Sequence, residues 1–283
     1  MPDRLPNSAA VIGLGLIGGS LACDLIARGV RVHGYDRDQE TVRAAAERGL
    51  LRLDSLSAPE LAEAELVVLA VPVTAAAELL AELATVVGPE CVITDLGSTK
   101  RSIVRAAEAA GIGERFVGSH PLAGDHRSGW GAAREGLFRG ATVYLCRAPG
   151  TTAGALEAVR SLWLALGAYP EDTDAAEHDR QVAWTSHLPQ AAASALAGAL
   201  AEAGWRPDHL GPGGRDATRL AASSPEIWRA IATDNADLIE TALSSLEDRI
   251  SHFRRLLRAG DPEAIQEFFS AAQRWSRQSP PAR

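Results

Sequence analysis

The chain has 283 residues, 46% of them apolar and 23% charged, enough for one large globular domain or two ordinary ones. A formal net charge of -8 gives no electrostatic footprint for nucleic acid, and no run reaches the ~18 apolar residues that a membrane span needs. Three scattered cysteines (Cys23, Cys91, Cys146) show neither metal-ligand spacing nor an even count for disulfides, and the N-terminus lacks a signal pattern, so a reducing cytoplasm and no metal site are expected.

Residues 9–12 form a short apolar run that ends in Gly13-Leu14-Gly15-Leu16-Ile17-Gly18. Leu21, Leu25 and Ile26 then recur on one helical face up to Gly29, and residues 30–35 read as a second strand ending at Asp36. Strand, GxGxxG, helix, strand and acid in this order and spacing form the dinucleotide fingerprint. Gly13 permits the tight turn, Gly15 lets the backbone approach a pyrophosphate, and Gly18 allows close helix packing, while Leu16 and Ile17 open the helix whose free amides face the phosphates. Asp36 can accept from the ribose hydroxyls and would repel a 2′-phosphate, which favours NAD and disfavours NADP; Arg37 directly after it softens that preference.

The alternation continues with a helix over 41–48, a buried-type strand over 66–71, a helix over 75–87, a strand over 91–94 and a helix from about Lys100 to 110. Val71 and Pro72, Gly97 and Ser98, and Ser119 and His120 all fall at strand ends, where open parallel sheets bind ligands. Ser98 has a competing reading as the cap of the helix that follows it. Residues 116–118 open like a strand that breaks at Ser119-His120-Pro121, and Gly124, Gly129 and Gly131 punctuate the loop beyond. A histidine held at such a break is placed for proton transfer; a surface histidine beside a rigid turn is the alternative. A strand over 141–146, a helix over 153–166 and an extended segment over 168–171 complete this part, with a domain edge near Asp172.

From 174 onward no strand is expected. His187-Leu188-Pro189-Gln190 begins a helix rich in small residues, where His187 reads equally as a packing histidine or a site residue. A Gly- and Pro-rich loop over 205–214 leads to Arg215-Asp216-Ala217-Thr218-Arg219, and Ser224 stands where it can cap a helix starting at Pro225. Leu238, Ala242, Leu246, Ile250, Phe253 and Leu257 form an apolar stripe that suits either an intrachain seam or a second subunit. Gly260 ends that helix, and a last one spans about 262–277.

Five blocks in this order resemble the prephenate/arogenate (cyclohexadienyl) dehydrogenases: GLGLIGGS from Gly13, DLGSTK from Asp95, GSHPLAG from Gly118, SHLPQ from Ser186 and GGRDATRLAASSPEIW from Gly213. The resemblance covers nearly the whole chain. It implies a Rossmann domain with a doubly wound, mostly parallel sheet over residues 1–172, and an all-helical substrate and homodimerisation domain over 173–283. It also implies NAD-dependent oxidative decarboxylation of prephenate to 4-hydroxyphenylpyruvate, or of arogenate to tyrosine. His120 is then the catalytic base and Ser98 its partner at the substrate hydroxyl. Arg219, Arg215, His187 and Ser119 belong to the substrate pocket, and Asp216 orients an arginine or caps a short helix. Two departures bear on specificity. Asp125-His126-Arg127 replaces the family's usual Thr-Glu after the histidine block, and Gly214 stands where relatives often carry an aromatic, which suggests a wider pocket and an amino-substituted prephenate as an alternative substrate. A β-hydroxyacid dehydrogenase would need a lysine in the second domain, whereas the only lysine is Lys100. An NAD-binding redox sensor would need no base or carboxylate clamp.

Overall fold

The computed structural model describes residues 5–124 and 127–278. An eight-stranded sheet is its frame. The elements run β1 (Ser8–Ile12), α1 (Leu16–Ile26), β2 (Arg31–Tyr35), α2 (Gln39–Ala46), β3 (Leu51–Arg52), α3 (Pro59–Ala62), β4 (Leu66–Leu69), α4 (Val73–Val86), β5 (Val92–Asp95), α5 (Arg101–Ala109), β6 (Phe116–Pro121), β7 (Thr142–Arg147), α6 (Ala153–Ala165) and β8 (Tyr169–Thr173). The strand order is β3-β2-β1-β4-β5-β6-β7-β8. All neighbours are parallel except β6 and β7. The order reverses between β1 and β4, which opens a crevice at their carboxyl ends.

The central strands read as unbroken apolar runs because both faces are covered. Their alternation sorts the core into two layers. Ala9, Val11, Leu66 and Val68 join one apolar cluster, and Ala10, Ile12, Val67 and Leu69 the other. The two-residue β3 and the four-residue α3 were not expected, since neither is long enough to display a period.

His120 lies within β6 rather than at a break after Gly118. The antiparallel β7 accounts for this by pairing with residues 117–121, with His120 opposite Tyr144 and Pro121 opposite Val143. Pro121 ends the strand, where its missing N–H costs little.

Helices follow: α7 (Ala175–Val182), a single π turn (Ala183–His187), α8 (Leu188–Glu202), α9 (Pro212–Thr218), a 3-10 turn (Arg219–Ala222) and α10 (Pro225–Asp234). The sequence suggested a helix beginning at His187. Instead α7, the π turn and α8 are continuous, and His187 closes the wide turn, where the Leu188 N–H donates to the Ala183 carbonyl. Pro189 sits in the first turn of α8. Ser224 does precede α10, but its side chain donates to Glu226 and makes no cap bond.

The compact units divide after Ala236, so the helices α7 to α10 stay in the unit that holds the sheet. The change from strands to helices falls after Thr173, at the end of β8, and does not coincide with the division between compact units. The second unit, from Asp237, carries all but the first residue of α11 (Ala236–Ala259) and the whole of α12 (Pro262–Ser276), separated at Gly260, whose φ is +65°. Phe253 stacks on Phe268 at 4.7 Å and meets Phe269 edge-on. Ile250, Leu257, Phe269 and Trp275 remain more than half exposed.

The fingerprint glycines differ in what they spare. A Cβ at Gly18 would lie 2.0 Å from the Gly13 carbonyl oxygen, and one at Gly13 would lie 2.4 Å from that of Ala70, with Gly13 also at φ +96°. A Cβ at Gly15 would meet nothing within 4 Å. Gly18→Ala and Gly13→Ala should therefore each lower the unfolding free energy by about 1–3 kcal/mol, while Gly15→Ala stays within about 0.5 kcal/mol of the parent. Urea unfolding without cofactor checks this contrast.

Candidate active site

The turn between β1 and α1 forms one wall of the crevice. The Leu14 N–H donates to Asp36 Oδ2 at 2.8 Å, and the Asp38 N–H to Oδ1 at 3.0 Å, so the half-exposed acid at the end of β2 is held against the glycine turn. α1 begins after Gly15 with no side-chain cap, which leaves the amides of Leu16 and Ile17 available to an anion. The open space beside Gly15 admits a phosphate at that backbone, as the fingerprint requires. Ala70, Val71 and Pro72 follow β4 across the crevice, and Arg37 is exposed beside Asp36. The residues present fit a dinucleotide.

The chemistry-bearing cluster lies further along the sheet. His120 Nδ1 is 2.8 Å from His178 Nε2, and His178 Nδ1 is 2.8 Å from Asp179 Oδ1. Asp179 also accepts from the backbone N–H groups of Lys100 (2.7 Å) and Arg101 (2.9 Å) and from Arg101 Nε (3.3 Å). Those amides are the open start of α5. The helix therefore takes a distant carboxylate at its N-terminus, and Ser98, half-buried at the end of β5, makes no cap bond there. Burial pushes the Asp179 carboxyl up, but the His178 bond and the two amides outweigh it and hold it below its ordinary range.

An ionised Asp179 can only accept, so His178 Nδ1 must donate to it. Neutral His178 then has a lone pair on Nε2, and His120 Nδ1 must donate to that. His120 Nε2 is left as an acceptor. Burial, reinforced by repulsion between its imidazolium form and the neighbouring His178, Lys100 and His187 groups, holds His120 well below 6.5 and keeps it neutral near pH 7. Burial likewise lowers His178 and pushes His187 down to about 4.

Lys100, fully buried, ion-pairs with Asp95 and donates to the Ser119 carbonyl at 3.0 Å. Burial raises the Asp95 carboxyl. Ser119 departs from the expected substrate-binding role. Its side chain points to the opposite face from His120, fully buried, with Oγ 2.8 Å from Thr94 Oγ1 and accepting from Trp163 Nε1 at 3.1 Å. It holds the strand to the core.

His187 meets Asn235 Nδ2 at 3.2 Å through Nδ1, and the Trp228 ring lies edge-on to it at 5.8 Å. One turn on, Gln190 donates to the Leu220 carbonyl and accepts from Ser223, which ties α8 to the segment carrying Arg219. Arg219 itself is 71% exposed, 3.8 Å from Asp216, and Arg215 donates to the Leu210 carbonyl. Both arginines line an open cleft of about 990 Å³ with Gly213, Thr218 and Ala222, and none of the three histidines lines it. A Cβ at Gly214 would meet Leu210 at 3.3 Å, so this glycine makes room for Leu210 rather than widening the cleft. Asp125 and His126 lie outside the described residues.

Sequence reasoning missed His178, Asp179 and Asn235. A signal for α7 existed: Asp174 with Glu177 three residues later is a cap pattern, and the Asp174 side chain does accept from the N–H groups of Ala176 and Glu177. Nothing local marked Asp179 or Asn235.

The family model "Prephenate dehydrogenase, nucleotide-binding domain" matches residues 21–170, and "Prephenate dehydrogenase, dimerization domain" matches residues 174–271. The chain is 33% identical to the prephenate dehydrogenase of Bacillus subtilis (strain 168), over 96% of this chain and 76% of that one. Among solved structures it is similar to A. aeolicus prephenate dehydrogenase in complex with hydroxyphenyl propionate and NAD+ (TM-score 0.87, 28% identity, 94% and 96% of the two chains). It is also similar to Synechocystis arogenate dehydrogenase (TM-score 0.81, 30% identity, 94% and 97%). The chain belongs to the prephenate dehydrogenase family and is a dehydrogenase.

His178→Ala removes the acceptor that fixes His120. The expected result is a fall in kcat of about 10- to 100-fold, less than the roughly 100- to 10,000-fold contribution of a general base itself, with a displaced acid limb of kcat/KM and unchanged dinucleotide affinity. A pH profile of reduced-cofactor formation together with a binding titration checks it.

Proposed function

We propose that this dehydrogenase oxidises prephenate to 4-hydroxyphenylpyruvate with loss of carbon dioxide, in tyrosine biosynthesis. The nucleotide is NAD, which supplies the hydride acceptor; Asp36 and the glycine turn hold it and disfavour a 2′-phosphate. The observation that carries the reading is the Asp179–His178–His120 chain, which leaves a neutral acceptor nitrogen on His120. That nitrogen accepts a hydrogen bond from the hydroxyl at C4 of the cyclohexadienol and takes its proton as the C4 hydride departs. Ser98 supplies a second hydrogen bond at that hydroxyl. The ring carboxylate leaves as carbon dioxide, its bonding pair completes the aromatic ring as a phenolate, Asp179 stabilises the His120 imidazolium through His178, and that imidazolium returns the proton to the phenolate oxygen.

Arg219 clamps a substrate carboxylate, with Arg215 beside it and Asp216 orienting it; their exposure on one cleft supports this. His187, outside that cleft, is assigned to the substrate from the side of Asn235 and Trp228. Residues 173–283 form the helical part of a homodimer, supported by the exposed Ile250, Leu257, Phe269 and Trp275 and by the dimerization-domain match. The three cysteines are free and buried, which suits the cytoplasm. Arogenate is the alternative substrate: its ring chemistry is the same, and an arogenate dehydrogenase is among the similar structures.

Turnover of prephenate with NAD, assayed against arogenate and NADP, tests the reading, and NAD binding without turnover of either substrate would reject it. His120→Asn should reduce kcat by about 100-fold or more with NAD affinity kept; loss of NAD binding in a folded variant counts against the role assigned. Arg219→Ala should raise the prephenate KM about 10- to 100-fold, the loss of a charge-assisted pair. An unchanged KM would remove that arginine from the site.

A further inference from the structure

Three fixed partners surround one buried amide. Asn235, fully buried, accepts from Arg101 Nη2 at 2.8 Å through Oδ1 and donates to the Asp179 carbonyl at 3.0 Å through Nδ2. A guanidinium can only donate and a carbonyl can only accept, so the amide has a single allowed orientation. The other Nδ2 hydrogen then faces His187 Nδ1, 3.2 Å away. His187 Nδ1 must carry the lone pair, and its proton must sit on Nε2.

Building on the substrate reading above, we propose that Asn235 is a positioning residue that locks His187 as an N–H donor toward an oxygen of the substrate. The geometry favours a ligand-facing role over a packing one. His187 makes no other hydrogen bond among the described residues, and Nε2 is not among their enclosed unpartnered atoms, which are Asp24 Oδ2, His33 Nδ1, Asp95 Oδ1 and Thr99 Oγ1. The ring is held edge-on to Trp228, so Nε2 has a defined direction. With a pKa pushed down to about 4, largely by burial, the ring is neutral near pH 7 and donates without carrying a charge.

Asp179 couples the two histidines. Its carboxylate acts through His178 to leave His120 with an outward lone pair, and its carbonyl helps orient Asn235, which leaves His187 with an outward N–H. The substrate therefore meets an acceptor for its hydroxyl proton and a donor for a carbonyl or carboxylate oxygen. A group that can only donate, such as an ammonium, gains nothing from His187.

Long-range proton–nitrogen correlation spectra of the full chain with 15N-labelled histidine, at pH 7, read the tautomer directly. The His187 signals, identified by their loss in His187→Gln, should show an unprotonated Nδ1 and a protonated Nε2. A protonated Nδ1, alone or as imidazolium, overturns the proposal. Kinetics supply the second test. Asn235→Ala should raise the prephenate KM about tenfold, the weight of one hydrogen bond, with kcat changed less than about threefold. In the His187→Gln background, where the glutamine keeps a donor without needing Asn235, the same change should add less than about twofold. An equal rise in both backgrounds means that Asn235 acts only through Arg101 and Asp179, and overturns the proposal. The spectrum needs no turnover, so failure of the prephenate assignment would leave it standing.

Discussion

One buried carboxylate organises this site. Asp179 has no solvent to ionise against, so its charge must be met by protein donors, and five groups on three elements meet it or its carbonyl: the Lys100 and Arg101 amides, the Arg101 guanidinium, His178 and Asn235. Hydrogen bonds to a charged group are each worth about 1.5–3 kcal/mol net, and removing the carboxylate would strand several donors together. The same bonds that stabilise the ion pin α7 to the start of α5 and fix the proton on each neighbouring ring. Packing and tautomer choice are here one constraint.

That constraint works because the surroundings are dry and locally basic. Burial disfavours the imidazolium form of His120, His178 and His187, and the Lys100 charge adds to it at the first two. Neutral rings with assigned protons can pass a proton in a defined direction, which charged or freely tautomerising rings cannot. The linkage sign follows. A histidine with a depressed folded pKa binds fewer protons than in the unfolded chain, so for His187 stability is complete above about 6.5 and is lost as pH falls toward about 4.

The arrangement also separates tasks along the sheet. Glycines and Asp36 at the ends of β1 and β2 frame the crevice, His120 on β6 presents an acceptor nitrogen, and Arg215 and Arg219 line an exposed cleft beyond α8. Gln190 links the helix of His187 to the arginine segment, so a shift of that segment would be felt at the histidine.

Much of this was legible in the sequence where it depends on neighbours along the chain. The glycine turn, its acid, the apolar strands and the helix ending at Gly260 are local requirements of φ, spacing and period, and they emerged with boundaries displaced by a few residues at most. His120 could be singled out, but as a residue at a strand break, because its pairing to β7 is made with residues more than twenty positions away. Ser119 and His120 are adjacent and look equally available; only the pleat of a paired strand sends one into the core and the other toward the site. Asp179 capping α5, His178 behind His120 and Asn235 behind His187 join residues separated by 48 to 79 positions. No pattern along the chain records such contacts, because they arise only when elements far apart in sequence pack together. The residue types thus set what chemistry was possible, and tertiary packing alone decided which nitrogen carries which proton.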